Sequence, residues 1–486
     1  MRFTVTTLGC KANQYDTGTI AGILSDRGHL HVKPGEGADI CIINTCAVTA
    51  ESVRKSRQAV RKMKKLEPDA LIAVCGCHAK LDGSEVELLG ADLVGGTDDR
   101  EEFANKIIEL VAGVSTPGRS RNQTASPPPV PRTRALLKIQ DGCDNYCTYC
   151  IIPYARGASR SMPLDEIKER ARKLQEQGYK EIVVTGIEIS SWGKEWQSDS
   201  NSVVLRIGTN PTPPHAETTI TPPLGIHRHC VDSDKELGGC LIAMRKRRVG
   251  SDVEHGNETI TLLLSDAIKS ISTAAPNTRI RLGSLDPRAL SSDLIDDLAK
   301  IPNLCNHFHI SLQSGNDETL KRMGRRYKTT EVLKTIKKLK EKFPGCAITA
   351  DLIVGFPGET DEEFEKTIEL IKIAGFSDMH IFPYSKRPGT AAETMPGQIE
   401  NTIKQQRAKD AKIVAKYMKN DYLKTQIGKT LEVLFEEQKG KYSIGHSSNY
   451  LKVAVQSTGH GKIDKNTLKN VKIVSTKDGL LLGKIV

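Results

Sequence analysis

Three cysteines at the spacing C-x3-C-x2-C, Cys143, Cys147 and Cys150, lie in one short segment of the chain. Three thiolates are one too few to close the coordination of a [4Fe-4S] cluster, so one iron stays open for a substrate or a cofactor. A structural zinc site is one alternative, but zinc needs four ligands and no further Cys or His follows at zinc spacing. A set of disulfide bonds is the other alternative. The pattern favours an iron-sulfur site that performs chemistry.

Three more cysteines, Cys10, Cys46 and Cys77, each follow a short apolar run. Helical patterns such as Glu51–Lys65 and Arg100–Leu110 alternate with these runs, which predicts a doubly wound parallel sheet. The carboxyl ends of parallel strands meet at one edge of a sheet, where ligands bind, so we expect the three thiols to converge on a second iron-sulfur cluster. The predicted strands are Phe3–Leu8, Ile40–Ile43 and Ala70–Val74.

Length and composition indicate a large soluble protein. At 486 residues, with 38% hydrophobic and 27% charged residues, the chain is expected to hold two or three domains. It opens without a basic leader and no apolar run reaches membrane-spanning length, so we expect a cytoplasmic protein with no membrane segment. In that reducing compartment cysteines serve as ligands or as buried thiols. The cysteines expected in the core are Cys41, Cys75, Cys305 and Cys346.

The net charge of +11 is concentrated at the end of the chain. Residues 401–486 hold 17 Lys and Arg against 7 Asp and Glu. This asymmetry predicts a polyanionic partner, most simply a nucleic acid, while a solvated basic surface remains the alternative.

Longer motifs surround the cysteines of the first domain: Thr7-Leu-Gly-Cys10-Lys-Ala-Asn13-Gln-Tyr-Asp16, Asn44-Thr-Cys46 and Gly76-Cys77-His-Ala79. Followed by C-x3-C-x2-C, they resemble the radical S-adenosylmethionine methylthiotransferases of the MiaB type over nearly the whole chain. The opening motif is most similar to the branch that acts on threonylcarbamoyladenosine in tRNA. The isopentenyladenosine branch tends to open with Phe-Gly-Cys-Gln-Met-Asn, and the ribosomal-protein branch with Leu-Gly-Cys-Pro-Lys-Asn.

The resemblance implies two [4Fe-4S] clusters and S-adenosylmethionine as cofactors. One S-adenosylmethionine would methylate sulfur at the auxiliary site (Cys10, Cys46, Cys77), and another would be cleaved at the radical site (Cys143, Cys147, Cys150). The radical would take hydrogen from C2 of threonylcarbamoyladenosine at position 37, next to the anticodon, in tRNAs that read codons beginning with A. The alternative substrates are isopentenyladenosine in tRNA and a ribosomal protein. A further alternative is an iron-sulfur protein without catalytic activity.

The resemblance also implies partners. They are the anticodon stem-loop of tRNA and a low-potential electron donor such as flavodoxin or ferredoxin, with the protein acting as a monomer. An anionic threonyl carboxylate calls for a cation in the substrate pocket. Arg156 and Arg387 are the candidates.

Strand and helix patterns alternate again after a Pro-rich linker at 115–134. Six βα units fit the partial barrel of radical S-adenosylmethionine enzymes, whose chemistry occupies the carboxyl-terminal edge. The predicted strands are Ala135–Gln140, Glu181–Thr185, Arg279–Gly283, His307–Leu312, Ala347–Val354 and Met379–Phe382. Residues at their ends predicted to bind the cofactor are Gly186, Glu188, Ser284, Gln313, Ser314, Asp351 and Gly355. His309 is expected to pack within its strand rather than act as a base.

Residues 197–258 interrupt this rhythm with a long insertion where a short connection is expected. His227, His229, Cys230 and Cys240 could bind zinc, but a disordered or wrongly joined segment is the favoured interpretation.

The fold prediction is α/β. An N-terminal doubly wound sheet (1–114) is followed by a central partial (βα)6 barrel (135–424) and a small basic β-barrel (425–486). By position the last resembles the TRAM domain, an RNA-binding module.

Overall fold

The computed structural model describes residues 1–113, 133–198, 263–456 and 462–486. Most of the Pro-rich linker and of the 197–258 insertion, including His227, His229, Cys230 and Cys240, lies outside these residues. Within them, no helix combines the length and the apolar character needed to cross a bilayer.

The N-terminal domain is a five-stranded parallel sheet in the order β2-β1-β3-β4-β5. Its elements are β1 (Arg2–Thr7), α1 (Lys11–Asp26), β2 (Leu30–His31), β3 (Ile40–Thr45), α2 (Ala50–Leu66), β4 (Leu71–Gly76), α3 (Cys77–Leu81), α4 (Gly83–Leu88), β5 (Leu93–Val94) and α5 (Arg100–Gly113). Every residue of β3 is buried, because apolar clusters cover both faces of the sheet. Ile20 of α1 and Phe103 of α5 pack on one face, and Val60 of α2 packs on the other. The predicted doubly wound sheet is confirmed.

The central domain alternates strands and helices. Its elements are β6 (Arg134–Lys138), β7 (Gln140–Asp141), α6 (Ile152–Arg156), β8 (Arg160–Ser161), α7 (Leu164–Glu176), β9 (Glu181–Thr185), α8 (Glu195–Ser198), α9 (Leu264–Ala274), β10 (Arg279–Leu282), β11 (Ser284–Leu285), α10 (Ser292–Leu298), β12 (His307–Gln313), α11 (Asp317–Arg322), α12 (Thr329–Lys342), β13 (Ala347–Val354), α13 (Asp361–Ala374), β14 (Asp378–Pro383) and α14 (Asn401–Lys424).

Parallel strands form two sheets, in the orders β10-β9-β6 and β11-β12-β13-β14. The chain passes from the first sheet to the second between β10 and β11. The result is the predicted partial barrel. Strand alternation decides which side chains face its interior. Phe308 of β12 is buried against Phe343 at the end of α12, with ring centres 4.7 Å apart. Its neighbours His307 and His309 therefore face the lumen.

The C-terminal domain is a closed barrel in the order β15-β16-β17-β19-β18. Its strands are β15 (Thr430–Lys439), β16 (Tyr442–Ser447), β17 (Lys452–Gln456), β18 (Thr467–Lys477) and β19 (Leu480–Ile485). Val433, Phe435 and Val453 belong to its apolar core. The predicted small β-barrel is confirmed, while its likeness to a TRAM domain stays a prediction.

This small barrel packs against the amino-terminal ends of the strands of the central domain. Arg281 is 1% exposed and donates to the backbone carbonyls of Ser448 (2.9 Å) and Ser447 (3.2 Å). Its Nε also donates to Glu181 at 2.7 Å. Cζ of Arg281 lies 4.6 Å from the centre of the Tyr450 ring. Separation of the domains would leave the buried Arg281 guanidinium without its two carbonyl partners. The central and C-terminal domains therefore form one packed unit at this seam.

Candidate active site

The three cysteines of the auxiliary site converge as predicted. Cys10 precedes α1, Cys46 follows β3 and Cys77 begins α3. Gly9 permits the close approach, because a Cβ there would lie 2.8 Å from Sγ of Cys46. Burial raises the pKa of the Cys77 thiol to about 11, and the charges of Cys10 and Cys46 act in the same direction. Three thiols brought this close together are a donor set that fits a [4Fe-4S] cluster, and their role as its ligands stays a prediction.

The radical site is a loop that follows β6 and β7. Cys150 N donates to Cys147 O at 2.9 Å, and Thr148 N donates to Met323 O at 3.0 Å, which ties the loop to the end of α11. Burial, together with the neighbouring charges of Cys147 and Cys143, raises the pKa of Cys150 to about 12. These thiols also lie close together, and as ligands of a cubane cluster they would leave one of its iron positions free.

Arg325 contributes a buried positive charge to the radical site. One terminal nitrogen lies 3.3 Å from Sγ of Cys147, and the other donates to Asp286 at 3.0 Å. The guanidinium also stacks over the Tyr327 ring at 5.0 Å. Nothing in the sequence pattern marked Arg325, which lies 178 residues from Cys147 along the chain. Its N–H group bonds to the sulfur of a predicted cluster ligand. Hydrogen bonds of this kind help to set the reduction potential of an iron-sulfur centre.

Asp16 joins the two cysteine sites. Its carboxylate is fully buried and pairs with Arg156 at 3.0 Å, Lys138 at 2.5 Å and Arg100 at 3.1 Å. Asp141 completes the bridge, because it accepts from Arg156 at 2.8 Å and from Lys138 at 2.7 Å. Arg156, Lys138 and Asp141 belong to the central domain and Asp16 to the N-terminal domain. This interdomain clamp fixes the auxiliary site against the radical site.

Asn13 completes the clamp from the same opening motif. Its Nδ2 donates to Leu8 O at 2.8 Å and to Thr45 O at 2.9 Å, which ties two strand ends together. Its Oδ1 accepts from Arg156 at 2.5 Å. Both terminal nitrogens of Arg156 are therefore engaged by Asn13, Asp16 and Asp141, so the structure gives no support to Arg156 as the substrate's cation.

Four of the residues predicted to bind the cofactor are at least partly accessible: Glu188, Ser284 and Gln313 at the carboxyl edge of the barrel, and Asp351 deeper within its strand. Ser284 is exposed, and Glu188, Gln313 and Asp351 are half-buried. Gln313 holds a left-handed backbone conformation with φ of 64°, which is strained for a residue with a Cβ. Burial raises the pKa of Glu188, whose carboxylate accepts from Ser190 N at 3.2 Å. Their contact with the cofactor stays a prediction.

Of the other three, Gly186 is half-buried, and Gly355 and Ser314 are buried. A Cβ on Gly186 would lie 2.8 Å from the carbonyl oxygen of Gln140, and a Cβ on Gly355 would lie 2.4 Å from Cγ of Lys404. Ser314 is 1% exposed, and its hydroxyl accepts from Asn316 N at 3.3 Å. Packing alone accounts for these residue types, and their role toward the cofactor also stays a prediction.

A cluster of histidines faces the lumen beneath this edge. Nε2 of His309 lies 3.1 Å from Asp351, and Nδ1 of His380 lies 3.2 Å from the same carboxylate. The hydrogen bond with Asp351 raises the pKa of His380 above its ordinary value. His309 is thus held against the neighbouring strand by Asp351, and its expected packing role stays a prediction. His380 carried no recognisable sequence signal, because its partner lies on the neighbouring strand.

Comparisons with known proteins agree with this geometry. A profile of the Radical SAM superfamily matches residues 137–371, and one of the uncharacterized protein family UPF0004 matches residues 2–95. The chain is similar in fold to the radical S-adenosylmethionine methyltransferase TsrM from Kitasatospora setae. That likeness has a TM-score of 0.52 at 12% identity over 81% of this chain and 75% of that one.

Curated relatives extend over nearly the full length. The threonylcarbamoyladenosine tRNA methylthiotransferase MtaB of Bacillus subtilis is 33% identical over 94% of this chain and 92% of its own. MtaB of Thermotoga maritima is 32% identical over 99% and 98%. The tRNA-2-methylthio-N(6)-dimethylallyladenosine synthase of Clostridium tetani is 30% identical over 100% and 92%. The resemblance predicted from the cysteine motifs is confirmed, and with it [4Fe-4S] clusters and S-adenosylmethionine as the family's cofactors. This chain belongs to the radical S-adenosylmethionine methylthiotransferases.

Proposed function

We propose that this chain methylthiolates N6-threonylcarbamoyladenosine, next to the anticodon, in tRNAs that read codons beginning with A. The observation that carries the proposal is the pair of three-cysteine sites, held together by Asp16 and Arg156, in a chain whose MtaB relatives match over nearly their whole length. A protein that only carried clusters would not need to hold two three-cysteine sites at a fixed separation.

The chain's own residues supply position and environment. The thiolates of the auxiliary site and of the radical site would each hold one cluster. When bound, the clusters and S-adenosylmethionine supply the hydrogen-abstracting radical and the sulfur and methyl that are transferred. The interdomain clamp keeps the two sites at one separation, so that the target carbon can lie near both. The lumen, lined by His309 and Asp351, would hold the base away from water.

The substrate is a tRNA, and the basic C-terminal barrel would bind it. Lys452, Lys469 and Lys472 are exposed on its strands, and the domain carries few aromatic rings, which suits contacts to phosphates more than base stacking. The protein would work in the cytoplasm as a monomer, with flavodoxin or ferredoxin as the reductant.

Complementation tests the substrate. The chain is expressed in two bacterial strains, each lacking one of the two tRNA methylthiotransferases, and total tRNA nucleosides are measured by mass spectrometry. We expect the 2-methylthio derivative of threonylcarbamoyladenosine to return and that of isopentenyladenosine to stay absent. Return of only the isopentenyl product would refute the substrate assignment and leave the reaction class intact.

A further inference from the structure

One phenylalanine of this chain is exposed to solvent. The structure describes all nine phenylalanines, and Phe382 alone among them is exposed, with 46% of its surface accessible. A single exposed apolar side chain on an outer surface needs no explanation. The meaning of this one therefore depends on which face of the barrel it occupies.

Phe382 lies on the lumen face of β14. Ile381, its neighbour on the strand, is 6% exposed, so strand alternation turns His380 and Phe382 to the opposite face. That face is the lumen, because Nδ1 of His380 lies 3.2 Å from Asp351 and its ring centre lies 5.5 Å from that of His309. The His380 side chain is 64% exposed, so the lumen is open to solvent at this point.

The two exposed rings form a corner. Their centres lie 6.5 Å apart and their planes are inclined by 63°, so a flat ligand on the face of Phe382 would present its edge to His380. Asp351 holds the His380 ring through Nδ1, which fixes the direction of Nε2. Nε2 forms no hydrogen bond within the described part of the chain. It is therefore available to bond the edge of such a ligand.

This corner adjoins residues of both cysteine sites. Phe382 pairs in register with Ile353 of β13, and Ile353 packs against the apolar cluster that also contacts Tyr149 of the radical-site loop. Three residues beyond Phe382, Oγ of Ser385 accepts from Ala50 N at 3.2 Å. Ala50 begins α2, just after the auxiliary-site loop that follows β3. A ligand in the corner would thus lie where the two sites approach each other.

We propose that this corner receives the target adenine of the tRNA, with the base stacked on Phe382 and its edge bonded by Nε2 of His380. The proposal rests on the proposed function and names the surface that holds the base. A base on which an enzyme does chemistry must leave the stack of its neighbours. An aromatic side chain replaces that lost stacking, which is worth about fivefold to 150-fold in affinity per base.

An anionic group is a poorer occupant of the corner. Phe382 has no donor to offer, and the Asp351 carboxylate behind His380 would repel a phosphate or a carboxylate. Adenine is flat and uncharged and carries hydrogen-bonding groups on its edge, which matches the ring face and the nitrogen beside it.

The experiment measures binding of anticodon stem-loops to the anaerobically reconstituted full chain by fluorescence anisotropy. One stem-loop carries threonylcarbamoyladenosine at the target position, and the other carries an abasic residue there. The ratio of the two affinities, the base ratio, should be at least about fivefold in wild type. Phe382→Leu keeps an apolar side chain but removes the ring. It should lower the base ratio about fivefold or more and leave the affinity for the abasic stem-loop unchanged.

Two variants serve as controls. Phe382→Tyr keeps the ring and should retain the wild-type base ratio. Ile373→Ala removes an apolar side chain that is 72% exposed on α13 and should also behave as wild type. Loss of the base ratio in Ile373→Ala would show that the assay reports general damage, and it would remove the support that Phe382→Leu gives to the corner.

The outcomes separate the two proposals. A wild-type protein that binds the two stem-loops equally would contradict the proposed substrate itself. A base ratio that survives Phe382→Leu would overturn the corner alone, and so would equal weakening of both stem-loops. Should Phe382→Leu lose bound iron, His380→Gln is the independent test, and an unchanged base ratio in that variant would overturn the corner.

Discussion

The interdomain clamp at Asp16 supports a quantitative prediction. Asp16→Asn keeps the size of the side chain but removes the charge that faces Arg156, Lys138 and Arg100 in a fully buried position. Breaking one member of a buried ion pair costs about 3–5 kcal/mol. Asp141 still pairs with Arg156 and Lys138, so we expect the lower end, about 3 kcal/mol. That loss corresponds to about a hundredfold larger population of molecules in which the two domains have separated.

Hydrogen exchange measures that population. Backbone amides of α1 and β6, the elements that carry Asp16 and Lys138, should exchange about a hundredfold faster in Asp16→Asn than in wild type. Asp165→Asn is the control, because Asp165 is 94% exposed and pairs with Lys168 only at 3.4 Å. In activity assays, S-adenosylmethionine cleavage should continue while methylthiolated product falls. Exchange rates equal to those of the control would refute the clamp.

Three further predictions follow from other parts of the structure. Replacing all three auxiliary-site cysteines by alanine should lower bound iron from about eight to about four atoms per chain, and retention of all the iron would contradict the site. Arg325→Gln should lower the reduction potential of the radical-site cluster, because a charge and an N–H bond to Cys147 sulfur are lost. Arg325→Lys should shift it less in an electron paramagnetic resonance titration, and an unchanged potential in Arg325→Gln would exclude this tuning. Removing residues 427–486 should weaken tRNA binding and flatten its salt dependence. It should also lower the thermal midpoint because Arg281 loses two backbone acceptors, and an unchanged midpoint would contradict the packed seam.

Sequence patterns located the strands and the cysteines well, because both depend on local chemistry. The predicted strands Glu181–Thr185 and Ala347–Val354 match β9 and β13 to the residue, since each is a β-branched and apolar run with turn residues on either side. Convergence of the auxiliary cysteines followed from topology alone. The core assignment of the remaining described cysteines is also confirmed, with Cys41 and Cys75 fully buried.

Sequence patterns missed features that depend on pairing between distant elements. Helix α14 was not predicted because its buried face holds Lys404, Arg407 and three alanines, with Leu423 as its one large apolar residue, rather than an apolar stripe. In the C-terminal region the patterns predict strands at Leu431–Phe435, Leu451–Val455, Val471–Ile473 and Gly483–Val486. They miss β16, because its run holds Ser, Gly and His. The roles of Arg325 and His380 depend on the groups that the fold brings beside them. Motif reading named Asn13 and Asp16, but only the structure shows that they hold two domains together.

The most direct measurement is the reaction itself. Anaerobically reconstituted protein is incubated with dithionite, S-adenosylmethionine and stem-loops carrying either threonylcarbamoyladenosine or isopentenyladenosine, and the nucleosides are analysed by mass spectrometry. We expect a methylthio adduct on threonylcarbamoyladenosine alone, formed together with 5′-deoxyadenosine. Methylthiolation of isopentenyladenosine alone, or 5′-deoxyadenosine with no adduct on either RNA, would contradict the function proposed for this chain.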